Sequence, residues 1–220
     1  MVEAIARRLQ ADGWKQIDFE EPAFSLAEND EVHFHIGLNH MSRDYGVALF
    51  PALGVWHPET SRLVTRFCGL PEGPQSGSAS FGRGLTDVLN ENGIPRAPLE
   101  RWLVRESSEV AAVVGVLLDD IATYAMPFFR SLSTLEDIIQ RLERVPNRYQ
   151  AQSRHLAVAL ALADRERDAI DALAEFAGFA RSQSPQMAAQ SQKFVQAFLR
   201  HFGIDESRLP GEAATGDWVS

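Results

Sequence analysis

Three of the six histidines fall in one ten-residue stretch, EVHFHIGLNH, residues 31–40. Histidine is the commonest protein ligand for a transition metal, and it changes charge near neutral pH. His33 and His35 are two apart. Side chains alternate along an extended strand, so residues two apart share a face. Val32, Phe34, Ile36 and Leu38 then form an apolar face, while His33, His35, Gly37 and Asn39 form the other. Two imidazoles so placed can reach one metal ion. A catalytic zinc takes three protein ligands and leaves one position for water, which makes His57 the natural third ligand. His40 has the opposite parity. No HExxH, CxxC or histidine–carboxylate cluster accompanies the pair. The favoured reading is therefore a polar, half-exposed strand face with no metal and no other cofactor.

The remaining reactive residues are sparser. Cys68 is the only cysteine, which excludes an intrachain disulfide and suits a reducing cytoplasm. Its apolar surroundings, Thr-Arg-Phe-Cys-Gly, fit a small buried hydrophobe better than a nucleophile. Asp119 and Asp120 are adjacent, so on a helix they point about 100° apart and cannot act together as a general acid–base pair. They serve better as acidic contact groups for a partner. Glu20, Glu21 and Glu28 read as solvated strand ends. A serine-nucleophile elbow, Gly-x-Ser-x-Gly, does not occur. Residues 71–84, rich in Gly, Ser and Pro, lack the spacing and the lysine of a phosphate cradle and read as a connector.

The elements that must position these groups change character near residue 100. Before it, Ile5 and Leu9 mark a short helix that Gly13 stops. Alternating runs follow at residues 15–20, 23–27, 31–39 and 45–56, with a further short strand at 62–67. The links are too short for parallel crossovers, so the pairing is antiparallel. Pro51 lacks an N–H and requires an edge, a bulge or a break. A short helix follows at 85–91. After residue 100 helical spacing dominates. Val110, Val113, Val114, Leu117, Leu118 and Ile121 form one stripe, which Pro127 ends. Ser133 and Glu136 form a capping box ahead of Leu135, Ile138, Ile139 and Leu142, and Pro146-Asn147 breaks the chain. A helical hairpin follows over 155–178, then a helix at 185–202 that carries Phe194, Phe198 and Phe202 and ends at Gly203.

These readings give an α+β protein: an N-terminal helix and antiparallel sheet, followed by a C-terminal bundle of four to five helices. The divisions are 1–100, 101–204 and a polar tail at 205–220, in which Trp218 stands out. The 220 residues suffice for one large domain or two small ones. The formal net charge of −9 argues against nucleic acid as a partner and suits a basic protein. The start of the chain lacks the apolar core of a signal peptide. The apolar run from 110 to 121 is too short to span a membrane.

The order of marks resembles a known group. Gly13-Trp14 closes the first helix, and the run HIGLNHMSRDYGVALFPALGVWHPE follows. Arg101-Trp102 then leads to Met126-Pro127-Phe128-Phe129. This is similar to uncharacterised bacterial α+β domains encoded beside polymorphic toxins. The resemblance covers about Ile5 to Leu142 and implies an immunity or interaction role. The expectation is thus a cytoplasmic, non-enzymatic protein that binds and neutralises a basic toxin. A metal-dependent enzyme built on His33, His35 and His57 is the first alternative. A structural or adaptor subunit is the second. The oligomeric state is left open.

Overall fold

A computed structural model describes residues 1–18, 20–71, 79–94, 98–145 and 150–210. In chain order the elements are α1 (Val2–Ala11), β1 (Lys15–Asp18), β2 (Ala23–Ala27), β3 (His33–Arg43), β4 (Gly46–Trp56), α2 (Pro58–Phe67), β5 (Phe81–Gly84), α3 (Leu85–Glu91), α4 (Pro98–Arg101), β6 (Leu103–Val104), α5 (Val110–Asp120), α6 (Met126–Arg130), α7 (Leu135–Glu143), α8 (Gln150–Leu162), α9 (Glu166–Gln183) and α10 (Pro185–Phe202). The chain is α+β, with an N-terminal helix, a six-stranded sheet whose β1–β4 and β4–β6 pairings are antiparallel, and a C-terminal helical region. It forms two compact units, Met1–Trp56 with Gly82–Ser133, and His57–Phe81 with Thr134–Ser220.

The sheet unit is built on the β3–β4 hairpin. Its strands pair without interruption from His33↔Trp56 to Arg43↔Gly46. The strand order is β1-β2-β3-β4-β5, with β6 also paired to β4. Phe34, Ile36 and Leu38 turn their side chains into the core, as the alternation requires. Phe34 stacks on Phe129 of α6 at 4.8 Å, and Trp14 meets the same ring at 6.0 Å. Ile5 and Leu9 of α1 are buried in this unit as well. Two asparagine- and aspartate-built turns set the strand order. Asp18 Oδ1 accepts the N–H groups of Glu20 and Glu21 between β1 and β2. Asn29 Oδ1 accepts those of Glu31 and Val32 between β2 and β3.

Pro51 needs no bulge. Leu49 donates its N–H away from β3, to Trp102 O. Residue 51 has the same parity, so the missing N–H falls on the outer side of β4 and β3 loses no bond. Gly46 is the residue the hairpin cannot exchange. Its φ is +143°, and a Cβ there would sit 2.4 Å from Val104 O in β6.

The helical unit begins with α2, a correction to the strand expected at 62–67. His57 caps it by accepting Thr60 N–H, and Pro58 enters its first turn. Phe67 from α2 meets Phe194, Phe198, His201 and Phe202 of α10 at 5.4–6.2 Å. The α8–α9 hairpin turns at Asp164, φ +58°. The last helix runs over Pro185–Phe202 with Gly203 in the left-handed region at its end, as expected.

Other expectations shift. The cap of α7 is Thr134 with Asp137, one residue later than expected, because Thr134 Oγ1 reaches Asp137 N–H at 3.1 Å. Phe81–Gly84, expected as loop, is strand β5. Pro127 does not end its helix. A widened turn at Ile121–Ala125 precedes it, and Pro127 then falls in the first turn of α6, where a missing N–H costs little. The helical run Ser107–Arg130 is thereby long and apolar enough, by length and composition, to cross a membrane. Its Val114, Leu117, Ile121, Ala125 and Phe129 are buried in the sheet unit. The break at Pro146-Asn147 and residues 211–220, with Trp218, lie outside the described residues. The start of the expected tail is ordered: a 3-10 turn spans Glu206–Arg208, Asp205 caps it, and Leu209 is buried.

Candidate functional site

The histidines share one face of β3, as their spacing predicts. His33 lies opposite Trp56 and His35 opposite Gly54. Gly37 and Ala52 are opposite each other one pair further on, so the floor there is flat. The Trp56 indole meets both imidazoles edge-on, at 6.0 Å from His33 and 5.2 Å from His35. Burial pushes the His35 pKa down to about 4, and the neighbouring His33 adds to the shift. His35 is therefore neutral at physiological pH. Its Nε2 and Trp56 Nε1 are both buried without a hydrogen-bond partner among the described residues. Each such orphan costs on the order of 1–3 kcal/mol.

A neutral imidazole can ligate a metal, yet the third ligand is missing. Among the described residues no three His, Cys, Asp or Glu side chains lie close enough together to hold an ion. His57 belongs to the helical unit. Its Nδ1 accepts from Thr60 N–H at 3.2 Å and lies 3.0 Å from Thr60 Oγ1, and its backbone N–H donates to Ser80 Oγ at 3.1 Å. The role it plays there is that of a helix cap.

The acidic pair divides as adjacent helical positions must. Asp119 is exposed. Asp120 is only 3% exposed, and its carboxylate takes Arg101 Nε at 2.7 Å, Arg101 NH2 at 2.6 Å and Trp102 Nε1 at 2.9 Å. That is a satisfied structural pair joining α4 to α5. It removes Asp120 as a partner-contact group and leaves Asp119.

Cys68 is half-buried. It accepts from Arg154 NH1 at 2.9 Å, and burial raises its pKa, so the thiol stays protonated. It lines a cavity of about 370 Å³ in the helical unit with Leu70, Arg154, Gln190 and Lys193. The Arg154 guanidinium lies over the rings of Phe176 and Phe194.

The sequence reading passed over the distal half of the β3–β4 hairpin. Residues 39–45 are all exposed, and Met41 and Tyr45 are 39% and 57% exposed. The acidic excess lies on the same unit. The sheet unit holds 16 acidic and 9 basic residues, whereas the helical unit holds 14 and 12. The exposed apolar residues of the run MSRDYG, bounded by a two-residue turn, were the available signal.

No family model, no curated protein and no solved structure matches the chain.

Proposed function

We propose that this chain is a non-enzymatic protein-binding module, a cytoplasmic immunity-type protein that neutralises a basic toxin by direct binding. The observation that carries this reading is the exposed run 39–45 of the β3–β4 hairpin, which presents Met41 and Tyr45 on the unit with the greater net negative charge. Exposed apolar side chains ringed by polar ones mark contact surfaces. An acidic field draws a basic partner in and speeds the encounter. The apolar tip then supplies contact area once the surfaces meet.

The test is co-expression with the product of the adjacent reading frame, which this reading requires to be a basic toxin. The chain protects growth, and replacing Met41 and Tyr45 together by glutamate removes that protection while the protein stays folded. Growth arrest undiminished by the wild-type chain overturns the reading.

A further inference from the structure

The open side of β3 goes further than a general contact surface. In the β2–β3 ladder Phe24 faces Ile36 and Leu26 faces Phe34, and Leu38 donates its N–H to Pro22 O at 2.8 Å. Even-numbered residues of β3 thus turn their backbone groups toward β2, and odd-numbered ones turn theirs toward β4. β2 ends at Ala23, opposite Gly37. β3 continues to Arg43, paired on its other side to β4 throughout. The N–H and C=O groups of His40 and Ser42 therefore point outward where, among the described residues, no strand covers them. The other long strand is treated differently, since β4 has β6 against Val47 and Ala48 and also pairs β5.

An uncovered edge has a defined complement. Outward groups recur every second residue, about 7 Å apart, and only another extended backbone offers donors and acceptors at that repeat. The charge beside the edge selects among extended segments. A strand added to residues 39–43 lies end to end with β2 and abuts the turn that carries Glu20 and Glu21. Both are exposed, and the Asp18 carboxylate holds their backbone N–H groups. On the histidine face the added strand runs beside Met41.

We propose that the partner docks by strand addition: an extended, basic segment pairs with residues 39–43 of β3 through His40 and Ser42, its cationic end against Glu20 and Glu21. This rests on the protein-binding reading above and specifies its mode. A second copy of the chain pairing through the same edge is the competing occupant.

Proline at an outward position isolates the backbone term. His40→Pro and Ser42→Pro each delete an N–H that points away from β4, so the hairpin ladder is untouched. The probes are two blocked octapeptides, one of alternating lysine and valine, the other of alternating glutamate and valine. With the full-length chain, the lysine peptide binds at least about tenfold more tightly and slows exchange of the His40 and Ser42 amides by a similar factor. Each proline variant keeps its circular dichroism spectrum and loses about tenfold in peptide affinity. Glu20→Gln with Glu21→Gln narrows the preference for the lysine peptide. Three results overturn strand addition: peptide binding without protection of those amides, equal binding by the proline variants, or concentration-dependent protection in the chain alone, which signals self-pairing. Undiminished binding of the adjacent-frame product by Ser42→Pro overturns strand addition and leaves the parent reading standing. Failure of the wild-type chain to bind that product removes the parent reading itself.

Discussion

At the scale of single residues, burial decides what each ionisable group does. His35 shows this through pH. Its folded pKa of about 4 lies below the ordinary value of 6.5. Between those values the unfolded chain takes up a proton that the folded chain refuses. Stability is therefore complete above pH 6.5 and is lost as the pH falls toward 4. The loss amounts to about 3 kcal/mol at most. Replacing His35 by phenylalanine removes that slope, and urea titrations at pH 7 and pH 4.5 measure it. An unchanged pH dependence in the variant would place the sensitivity elsewhere. Asp120 makes the opposite case. Its carboxylate satisfies Arg101 and the buried Trp102 N–H together. Asp120→Ala leaves the buried Trp102 N–H without its acceptor and Arg101, a third exposed, to water, and costs about 1–3 kcal/mol in urea denaturation, whereas Asp119→Ala, at an exposed position, stays within about 0.5 kcal/mol. The histidine alternation was legible because a period of two is a local property of the chain. The cap role of His57 was legible only in part. His-Pro-Glu is a helix start, but the following RLVTRF is rich in residues that also suit strands, and burial against α10 decided the matter.

At the scale of elements, the β3–β4 hairpin organises the sheet, and its turn depends on one glycine. Gly46→Ala brings a Cβ against Val104 O in a backbone region that side chains avoid. It costs about 2–3 kcal/mol and frees the β4–β6 pair. Gly203→Ala, with φ +67° and nothing within 4 Å, costs about 1 kcal/mol. Thermal melts of the two variants side by side test the contrast, and equal losses would refute it. Helix ends proved readable where a cap and a breaker coincide, as at Pro185 and Gly203. They misled where tertiary context absorbs the breaker. Pro127 sits inside a continuous helical run because the widened turn before it supplies the room. The strand β5 was hidden in a Gly- and Ser-rich run, since four residues carry too little periodicity to stand out.

At the scale of the whole molecule, both units expose apolar side chains, Leu70 and Phe179 on the helical one, but the acidic excess falls mainly on the sheet unit. The sheet unit carries the greater share of the acidic excess together with Met41 and Tyr45. The overall charge was legible from composition. Its division between the units was not, because each unit is assembled from separate stretches of chain. The open edge of β3 was equally hidden, since it depends on where β2 stops in register. Long-range steering by such a field fades with salt, while apolar contact does not. Association with a basic partner should therefore slow by at least about tenfold between 20 and 500 mM salt, with a smaller change in dissociation.

Titration calorimetry of the purified chain against the catalytically inactivated product of the adjacent reading frame tests the central claim most directly. The account predicts a one-to-one complex that tightens at low salt and is lost when Met41 and Tyr45 are both replaced by glutamate. Heat changes no larger than dilution, with both proteins folded and at concentrations of about 100 µM, would contradict it.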